Sequence, residues 1–125
     1  MTVPGGRDYR FTASDRDFLE TVARTHRVTE VLSGATRGAD EEAEAWAAKA
    51  GIPVRRFPAD WGRHGRAAGP LRNRAMAAAA DLLAAFPGGR GTANMVEETK
   101  RRHITIVESP TRRGNLRRLK IISKT

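Results

Sequence analysis

Short apolar runs alternate with amphipathic segments along most of this chain. The five consecutive apolar residues 82–86 are typical of a buried strand in a parallel sheet that is covered on both faces. Apolar residues that recur at helical spacing predict an amphipathic helix over residues 14–25. By the same criteria we predict strands at residues 2–3, 28–32, 52–57, 82–86 and 103–108. Further helices are predicted at residues 40–50, 71–80 and 93–102.

Strands that alternate with helices imply a parallel sheet with right-handed crossovers. We therefore predict the α/β class: a Rossmann-like, doubly wound, mainly parallel sheet of about five strands, with helices on both faces. Residues 58–70 contain three glycines and two prolines, and we predict an irregular segment there. The expected organisation is one domain over residues 1–108, followed by a basic tail over residues 109–125.

Three glycine-rich turns follow predicted strands and should therefore lie at one edge of the sheet. They occupy residues 4–7, 33–40 and 87–92. In open parallel sheets, ligands bind at the carboxyl ends of the strands. The third turn leads into a helix, whose free N–H groups and dipole favour an anion such as phosphate. The sequence therefore predicts binding of a nucleotide or of a nucleotide-like phosphate compound.

The candidate ligand-contacting residues come from these turns and from the helix that begins near Arg72. Backbone N–H groups of the glycine turn before Thr92 would hold a phosphate, with the Thr92 hydroxyl assisting. Arg37 is either a phosphate or carboxylate clamp or a surface arginine, and Asp40 either accepts a ribose hydroxyl or charges the helix start. We expect Arg72 to face the ligand and Asn73 to fix a loop. The full predicted set is Gly6, Arg7, Ser33, Gly34, Arg37, Gly38, Asp40, Arg72, Asn73, Gly88, Gly89, Gly91 and Thr92.

Three ring side chains have two interpretations each. Trp61, in the segment predicted to be irregular, is expected to be a hydrophobic plug for that loop; the alternative is stacking on a base. His64 has the chemistry of an acid or base near neutral pH, although a lone histidine in a loop is usually solvated. Trp46 lies on an alanine-rich helix, where it indicates core packing or a homodimer interface.

Composition narrows the classes of function. The 125 residues include no Cys, which excludes disulfides and thiolate metal sites, and the three His lack metal-ligand spacing. No apolar run approaches the roughly 20 residues of a membrane span, and no signal-peptide pattern opens the chain. We therefore expect a soluble, cytoplasmic protein with no membrane partner, and no motif indicates a cofactor.

Four motifs occur together and in order: GGRDY (5–9), SGATRGAD (33–40), PADWGRHGRAAGPLRN (58–73) and FPGGRGTANM (86–95). Together they resemble a small bacterial and phage branch of the SLOG superfamily, the Rossmann-like proteins related to LOG and DprA, often described as YspA-like. The resemblance covers roughly residues 4–108. It implies a Rossmann-like sheet and a nucleotide-derived ligand.

The better-known LOG members of that superfamily hydrolyse the N-glycosidic bond of cytokinin riboside monophosphates. Their PGGxGTxxE motif matches residues 87–92, and we place its catalytic glutamate two residues after Thr92, where this chain has Asn94. An amide cannot act as a general base or stabilise an oxocarbenium ion. Two classes therefore stay open, a nucleotide-binding sensor or ligand module and a nucleotide N-glycosidic hydrolase, and Asn94 favours the first.

The net charge of +9 is concentrated at the C-terminal end. Residues 100–125 carry nine Lys and Arg against the single acid Glu108, whereas residues 1–99 carry fourteen against thirteen acids. The tail is either a solvated end or a nucleic-acid contact in the manner of DprA, because Lys and Arg neutralise backbone phosphates. The absence of aromatic residues in the tail argues against stacking on single-stranded bases.

The nucleic-acid hypothesis gives a direct test. If the tail binds DNA, affinity should fall steeply between about 50 and 200 mM salt, because bound cations are released from the phosphates. Deletion of residues 109–125 should then abolish binding. Fluorescence anisotropy with a labelled duplex measures both effects, and an affinity unchanged by the deletion would exclude the tail as the contact.

Overall fold

A computed structural model describes residues 1–113 of the chain. Its strands are β1 (Val31–Ser33), β2 (Val54–Arg56), β3 (Leu82–Ala85) and β4 (Thr105–Glu108). Its helices are α1 (Ala13–Thr25), α2 (Ala39–Ala50), the short α3 (Trp61–His64), α4 (Ala68–Ala79) and α5 (Arg90–Arg101), with a 3-10 turn, Gly65–Ala67, between α3 and α4. Within this part of the chain, no helix has the length and apolar character needed to cross a membrane.

The strands form two parallel pairs. β1 pairs with β2, with Val31 opposite Val54, and β3 pairs with β4, with Leu82 opposite Thr105. Each pair is joined by a helical crossover, α2 in the first pair and α5 in the second. This arrangement is the βαβ unit, which the alternation of apolar runs and amphipathic segments predicts.

The N-terminal segment lies between the two strand pairs. Thr2 forms single-residue parallel bridges with both Leu32 of β1 and Leu83 of β3. The Leu32 N–H donates to the Met1 carbonyl (2.8 Å), and the Thr2 N–H donates to the Leu82 carbonyl (3.0 Å). The order across the molecule is therefore β2, β1, the N-terminal segment, β3 and β4. From the central N-terminal segment, β1 and then β2 lie on one side, and β3 and then β4 lie on the other.

The α/β class with parallel strands is confirmed, but the predicted number of five strands is wrong. Residues 1–113 contain four, and the segment predicted as the first strand contributes bridges alone. Pro4 has no N–H for a ladder, and the chain turns at the glycines that follow. β1 also begins later than residue 28, because the Val28 N–H still bonds the Ala23 carbonyl at the end of α1 (2.9 Å).

Helices cover both faces of β3. Leu82 belongs to a buried cluster that includes Trp46 of α2 and side chains of α1. Its neighbour Leu83 belongs to a second cluster with Met76 of α4 and Met95 of α5. Successive side chains of a strand point to opposite faces, so these clusters mark the two sides of the sheet. Of the two interpretations of Trp46, the structure shows core packing.

The prediction of an irregular segment over residues 58–70 is wrong, because most of it is helical. The Asp60 carboxylate accepts a hydrogen bond from the Arg63 N–H (3.1 Å) and so caps α3. α4 begins at Ala68, earlier than residue 71. The glycines of this segment argued against a helix in the sequence. Because α4 begins three residues earlier than predicted, Arg72 lies in its second turn instead of its first.

The beginning of the predicted basic tail packs on the domain. Ser109 is fully buried, and its N–H donates to the Ala85 carbonyl at the end of β3 (2.9 Å). Arg112 forms an ion pair with Glu108 (3.1 Å). The rest of the predicted tail, residues 114–125, lies outside the described residues.

Gly38 connects the turn after β1 to α2 and packs against the N-terminal turn, residues 4–7. Its backbone conformation favours glycine, with φ +80° and ψ −125°. A Cβ there would overlap the backbone of Gly6 and Arg7. Gly38→Ala should therefore lower the free energy of unfolding by about 1–3 kcal/mol because of backbone strain. The overlap of the new Cβ with the N-terminal turn should lower it by about 1–3 kcal/mol more. Urea unfolding measures the change.

Gly65→Ala is the matched control for this prediction. Gly65 has a similar backbone conformation, with φ +54° and ψ −131°, but a Cβ there would meet nothing within 4 Å. It should show the strain loss without the overlap. Equal losses in the two variants would contradict the close packing of Gly38 on the N-terminal turn.

Candidate functional site

A pocket of about 340 Å³ opens where the strands end. This volume lies within the range of roughly 300–1,000 Å³ that small-molecule sites occupy. The pocket is bounded by the N-terminal turn, the turn after β1, one side of α4 and the first turn of α5. Its lining residues are Pro4, Gly5, Gly6, Arg7, Gly34, Thr36, Asp40, Arg72, Asn73, Met76, Gly89, Arg90, Gly91, Thr92 and Met95.

The N-terminus of α5 supplies free hydrogen-bond donors to this pocket. Gly89 occupies the N-cap position and makes no side-chain cap, and the Ala93 N–H is the donor to its carbonyl (3.0 Å). Within residues 1–113, the N–H groups of Arg90, Gly91 and Thr92 have no acceptor. First-turn amides carry the positive end of the helix dipole, so this wall attracts an anion. The helix begins earlier than predicted, and Thr92 is its third residue.

Gly88 lets the third turn approach the first. A Cβ on Gly88 would overlap the Thr92 side chain and come within 2.9 Å of the Gly6 nitrogen. That nitrogen donates to the Pro87 carbonyl (2.8 Å). We predicted Gly88 as a binding residue, but it does not line the pocket. Its lack of a side chain instead lets two walls of the pocket meet.

The Arg72 side chain is anchored through two of its three nitrogens. Its Nη1 donates to the carbonyl of Gly34 and, at 3.4 Å, to that of Phe57. Its Nε donates to the Asn73 Oδ1 (3.0 Å). In the described part of the chain, the Nη2 group has no acceptor. Arg72 thus lines the pocket with its Nη2 amino group unbonded.

The pocket carries a positive charge. Three arginines, Arg7, Arg72 and Arg90, line it together with the single carboxylate of Asp40. Burial lowers the pKa of Arg72; the nearby Asp40 carboxylate raises that pKa, and the Arg7 charge lowers it. A guanidinium remains protonated at neutral pH despite such a shift. The excess of cations favours an anionic ligand.

Asp40 is held by the turn after β1. Its Oδ2 accepts hydrogen bonds from the Thr36 hydroxyl (2.6 Å) and from the Thr36 N–H (3.2 Å). Its Oδ1 has no donor among the residues that the structure describes. The residue stands in the first turn of α2, so it also complements the helix dipole. One carboxylate oxygen thus holds the turn, and the other is available at the pocket.

Asn73 connects Arg72 to α5. Its buried side chain accepts from Arg72, and its Nδ2 donates to the Gly91 carbonyl (3.2 Å) and to the Asn94 Oδ1 (2.9 Å). The element that Asn73 fixes is therefore the first turn of a helix and not a loop. Asn94 is half-buried, and its amide oxygen is bonded within the protein. The assignment of the LOG glutamate to Asn94 is wrong, because the spacing of the PGGxGTxxE motif places that glutamate three residues after Thr92, at Met95.

Ser33 does not line the pocket, although we predicted it as a binding residue. As the last residue of β1 it is buried, and its hydroxyl donates to the Glu44 Oε2 in α2 (2.6 Å). Burial alone would raise the pKa of Glu44, but hydrogen bonds from Ser33 and Arg56, and the Arg56 charge, outweigh burial and lower the pKa. The hydroxyl therefore serves the packing of α2 on the sheet.

Arg37 and Gly38 also lie outside the pocket lining. Arg37 is exposed and forms an ion pair with Asp8 (3.5 Å), so the structure favours the surface interpretation of this arginine. Gly38 contacts the N-terminal turn instead, and the N–H of the next residue, Ala39, donates to the Gly6 carbonyl (3.1 Å). Both residues follow a sharp turn that directs them away from the pocket.

Several lining residues were absent from the prediction. Arg90 and Thr36 lie inside the glycine motifs, and this position in the sequence could have identified them as lining residues. Met76 and Met95 form an apolar part of the lining from α4 and α5. Their apolar spacing is that of ordinary core residues, so the sequence carries no signal that they border a cavity.

Trp61 and His64 lie outside this pocket. Trp61 is 49% exposed and borders an adjacent open cleft with Arg7, Thr36 and Arg37. His64 is exposed at the end of α3 and has no side-chain hydrogen bond within the described residues. The His64 side chain is thus exposed to solvent, and Trp61 lies beside the pocket.

Parallel strands wound outward from a central segment, with turns that converge on a positively charged pocket, define an α/β protein of Rossmann-like type. The chain belongs to the YspA, cpYpsA-related SLOG family, whose sequence model matches residues 2–64. It is 40% identical to the Gene 61 protein of Mycobacterium phage D29 over 85 residues, which cover 62% of this chain and 68% of that protein. The matched family range includes the first two glycine turns, and α4 and α5 lie beyond it.

The bonds of Asn73 predict an unequal response to two alanine substitutions. Asn73→Ala leaves the Arg72 Nε without its acceptor, so it should lower the free energy of unfolding by about 1–3 kcal/mol. Asn94→Ala should cost about 0.5–1.5 kcal/mol, because the Asn73 amide still has the Gly91 carbonyl. Chemical denaturation of the two single variants and the double variant measures the coupling. Strictly additive losses would contradict a bond between the two amides.

Proposed function

We propose that this protein binds a nucleotide, or a nucleotide-derived compound, with its phosphate at the first turn of α5. The observation that carries this proposal is that the free amides of residues 90–92 and Arg72, with its unbonded Nη2 group, line one pocket. A phosphate has several oxygens that accept hydrogen bonds from different directions. It therefore satisfies both groups of donors at once.

Two properties of the pocket support a ligand larger than inorganic phosphate. Its volume of about 340 Å³ leaves room beyond a single small anion. Asp40 also lines the pocket, and its Oδ1, which has no donor among the described residues, would accept a hydrogen bond from a ribose hydroxyl. Membership of a SLOG family agrees with a nucleotide-related role.

We infer that binding, without efficient hydrolysis, is the function of the pocket. Met95 stands at the glutamate position of the PGGxGTxxE motif, and a thioether cannot act as a general base. Among the described residues, Asp40 is the sole carboxylate in the lining, and one of its oxygens holds Thr36. A sensor or ligand-binding module needs a positioned anion site and no general base.

Substitutions of Arg72 test the proposal. Arg72→Ala should weaken binding of nucleoside monophosphates by about 10- to 150-fold, the range for charge-assisted hydrogen bonds. Arg72→Lys should lie between the wild type and the alanine variant, because it keeps the charge and loses the fork. Arg74→Ala, an equal charge change on the exposed side of the same helix, should leave the affinity unchanged. Isothermal titration calorimetry measures each affinity.

The same proteins distinguish binding from hydrolysis. Incubation with nucleoside monophosphates and with NAD, followed by chromatography for free base, should show no release. Base release by the wild type that Arg72→Ala abolishes would overturn the binding-module proposal in favour of a hydrolase. Equal weakening by Arg72→Ala and Arg74→Ala would instead indicate a diffuse charge effect and contradict the site.

A further inference from the structure

An open cleft adjoins the phosphate pocket and shares part of its wall. Arg7 and Thr36 line both, and the cleft adds Arg37 and Trp61. The pocket and the cleft are therefore adjacent, and they meet at these two residues. The proposed function uses the pocket and leaves this cleft without a role.

Trp61 is held at the cleft by one edge of its indole. A Cβ added to Gly69 in α4 would lie 3.3 Å from the Trp61 Cη2, so that edge rests on a backbone without a side chain. The Asp60 cap fixes the start of α3, the helix that Trp61 begins. The side chain nevertheless remains 49% exposed, and it is one of two large apolar side chains in residues 1–113 with that character. The indole is thus positioned but not covered.

The flanking charges select the kind of group that would cover the indole. Arg7 has no side-chain partner within the described residues, and Arg37 meets the exposed Asp8 at 3.5 Å. An aliphatic group would desolvate the Arg7 guanidinium without giving it an acceptor. A planar, polar aromatic ring stacks on indole and presents acceptors at its edge, which suits Arg7.

We propose that Trp61 is the stacking platform for the base of the nucleotide whose phosphate binds at α5. This assignment rests on the proposed function and deepens it, because it makes the recognised ligand a nucleotide with its base attached and not a sugar phosphate. Arg7, common to the pocket and the cleft, lies between the phosphate and the base. The specificity of the site then resides partly in a residue of α3.

Fluorescence gives the first test. The chain has two tryptophans, so Trp46→Phe leaves Trp61 as the sole indole fluorophore. Titration with AMP or GMP should change its emission, whereas ribose 5-phosphate, which has no base, should change it little. An equal response to all three compounds, or no response to bound nucleotide, would overturn the assignment.

Affinity measured by calorimetry gives the second test and does not depend on the folding of the Trp46 variant. Trp61→Leu should weaken binding of AMP and GMP by about 5- to 150-fold, the range for loss of one base–aromatic stack. Binding of ribose 5-phosphate should not change. Trp61→Phe, which keeps an aromatic face, should recover part of the affinity, and Leu71→Ala, at the other exposed apolar side chain, should have no effect.

The outcomes separate this inference from the proposed function. If the wild type binds neither nucleotides nor ribose 5-phosphate, the phosphate site itself is wrong and the stacking role is overturned with it. If the wild type binds both and Trp61→Leu weakens neither, or weakens both equally, the phosphate site stands and the stacking role alone is overturned.

Discussion

The hydrogen bonds of the first residues hold the two halves of this molecule together. The Thr2 N–H and carbonyl pair with Leu82 (3.0 Å) and Ala84 (2.9 Å) on one side, and the Met1 carbonyl accepts from Leu32 (2.8 Å) on the other. Without this segment, β1 and β3 would each expose a row of unpaired backbone groups. The same pairing places the first glycine turn between the turns that follow β1 and β3. The pocket therefore depends on a segment too short to be a strand.

The charges and the backbone geometry of that pocket both favour an anionic ligand. Helix N-termini are common in α/β proteins, and an arginine beside one is often engaged with a carboxylate. In this molecule Arg72 is held by neutral carbonyl and amide oxygens, and its charge is not cancelled by a direct ion pair with Asp40. Arg7 adds a like charge nearby. A bound anion would compensate the Arg72 charge, which burial has partly desolvated, and this would give the proposed binding a driving force beyond the donors alone.

The fold and the convergence of the turns could be predicted because local signals determine them. An apolar run followed by glycines and a helix implies a particular edge of the sheet, whatever the details of packing. The bonds of Ser33 and Asn94 could not be predicted, because their partners Glu44 and Asn73 are brought to them by tertiary packing. Residues 58–70 misled the prediction for a different reason. Glycines usually interrupt helices, but Gly69 is accommodated in α4 beneath Trp61.

The anchoring of Arg72 has a consequence for the kinetics of the proposed ligand binding. A long side chain normally loses rotamer freedom when it captures a ligand, at a cost of roughly 0.5–1.5 kcal/mol. Here the carbonyl of Gly34 and the amide of Asn73 have already restricted that freedom during folding. Association should then proceed with little rearrangement of the backbone, as in preorganised complexes. Substitutions of Arg72 should therefore change mainly the dissociation rate of the complex and not the association rate.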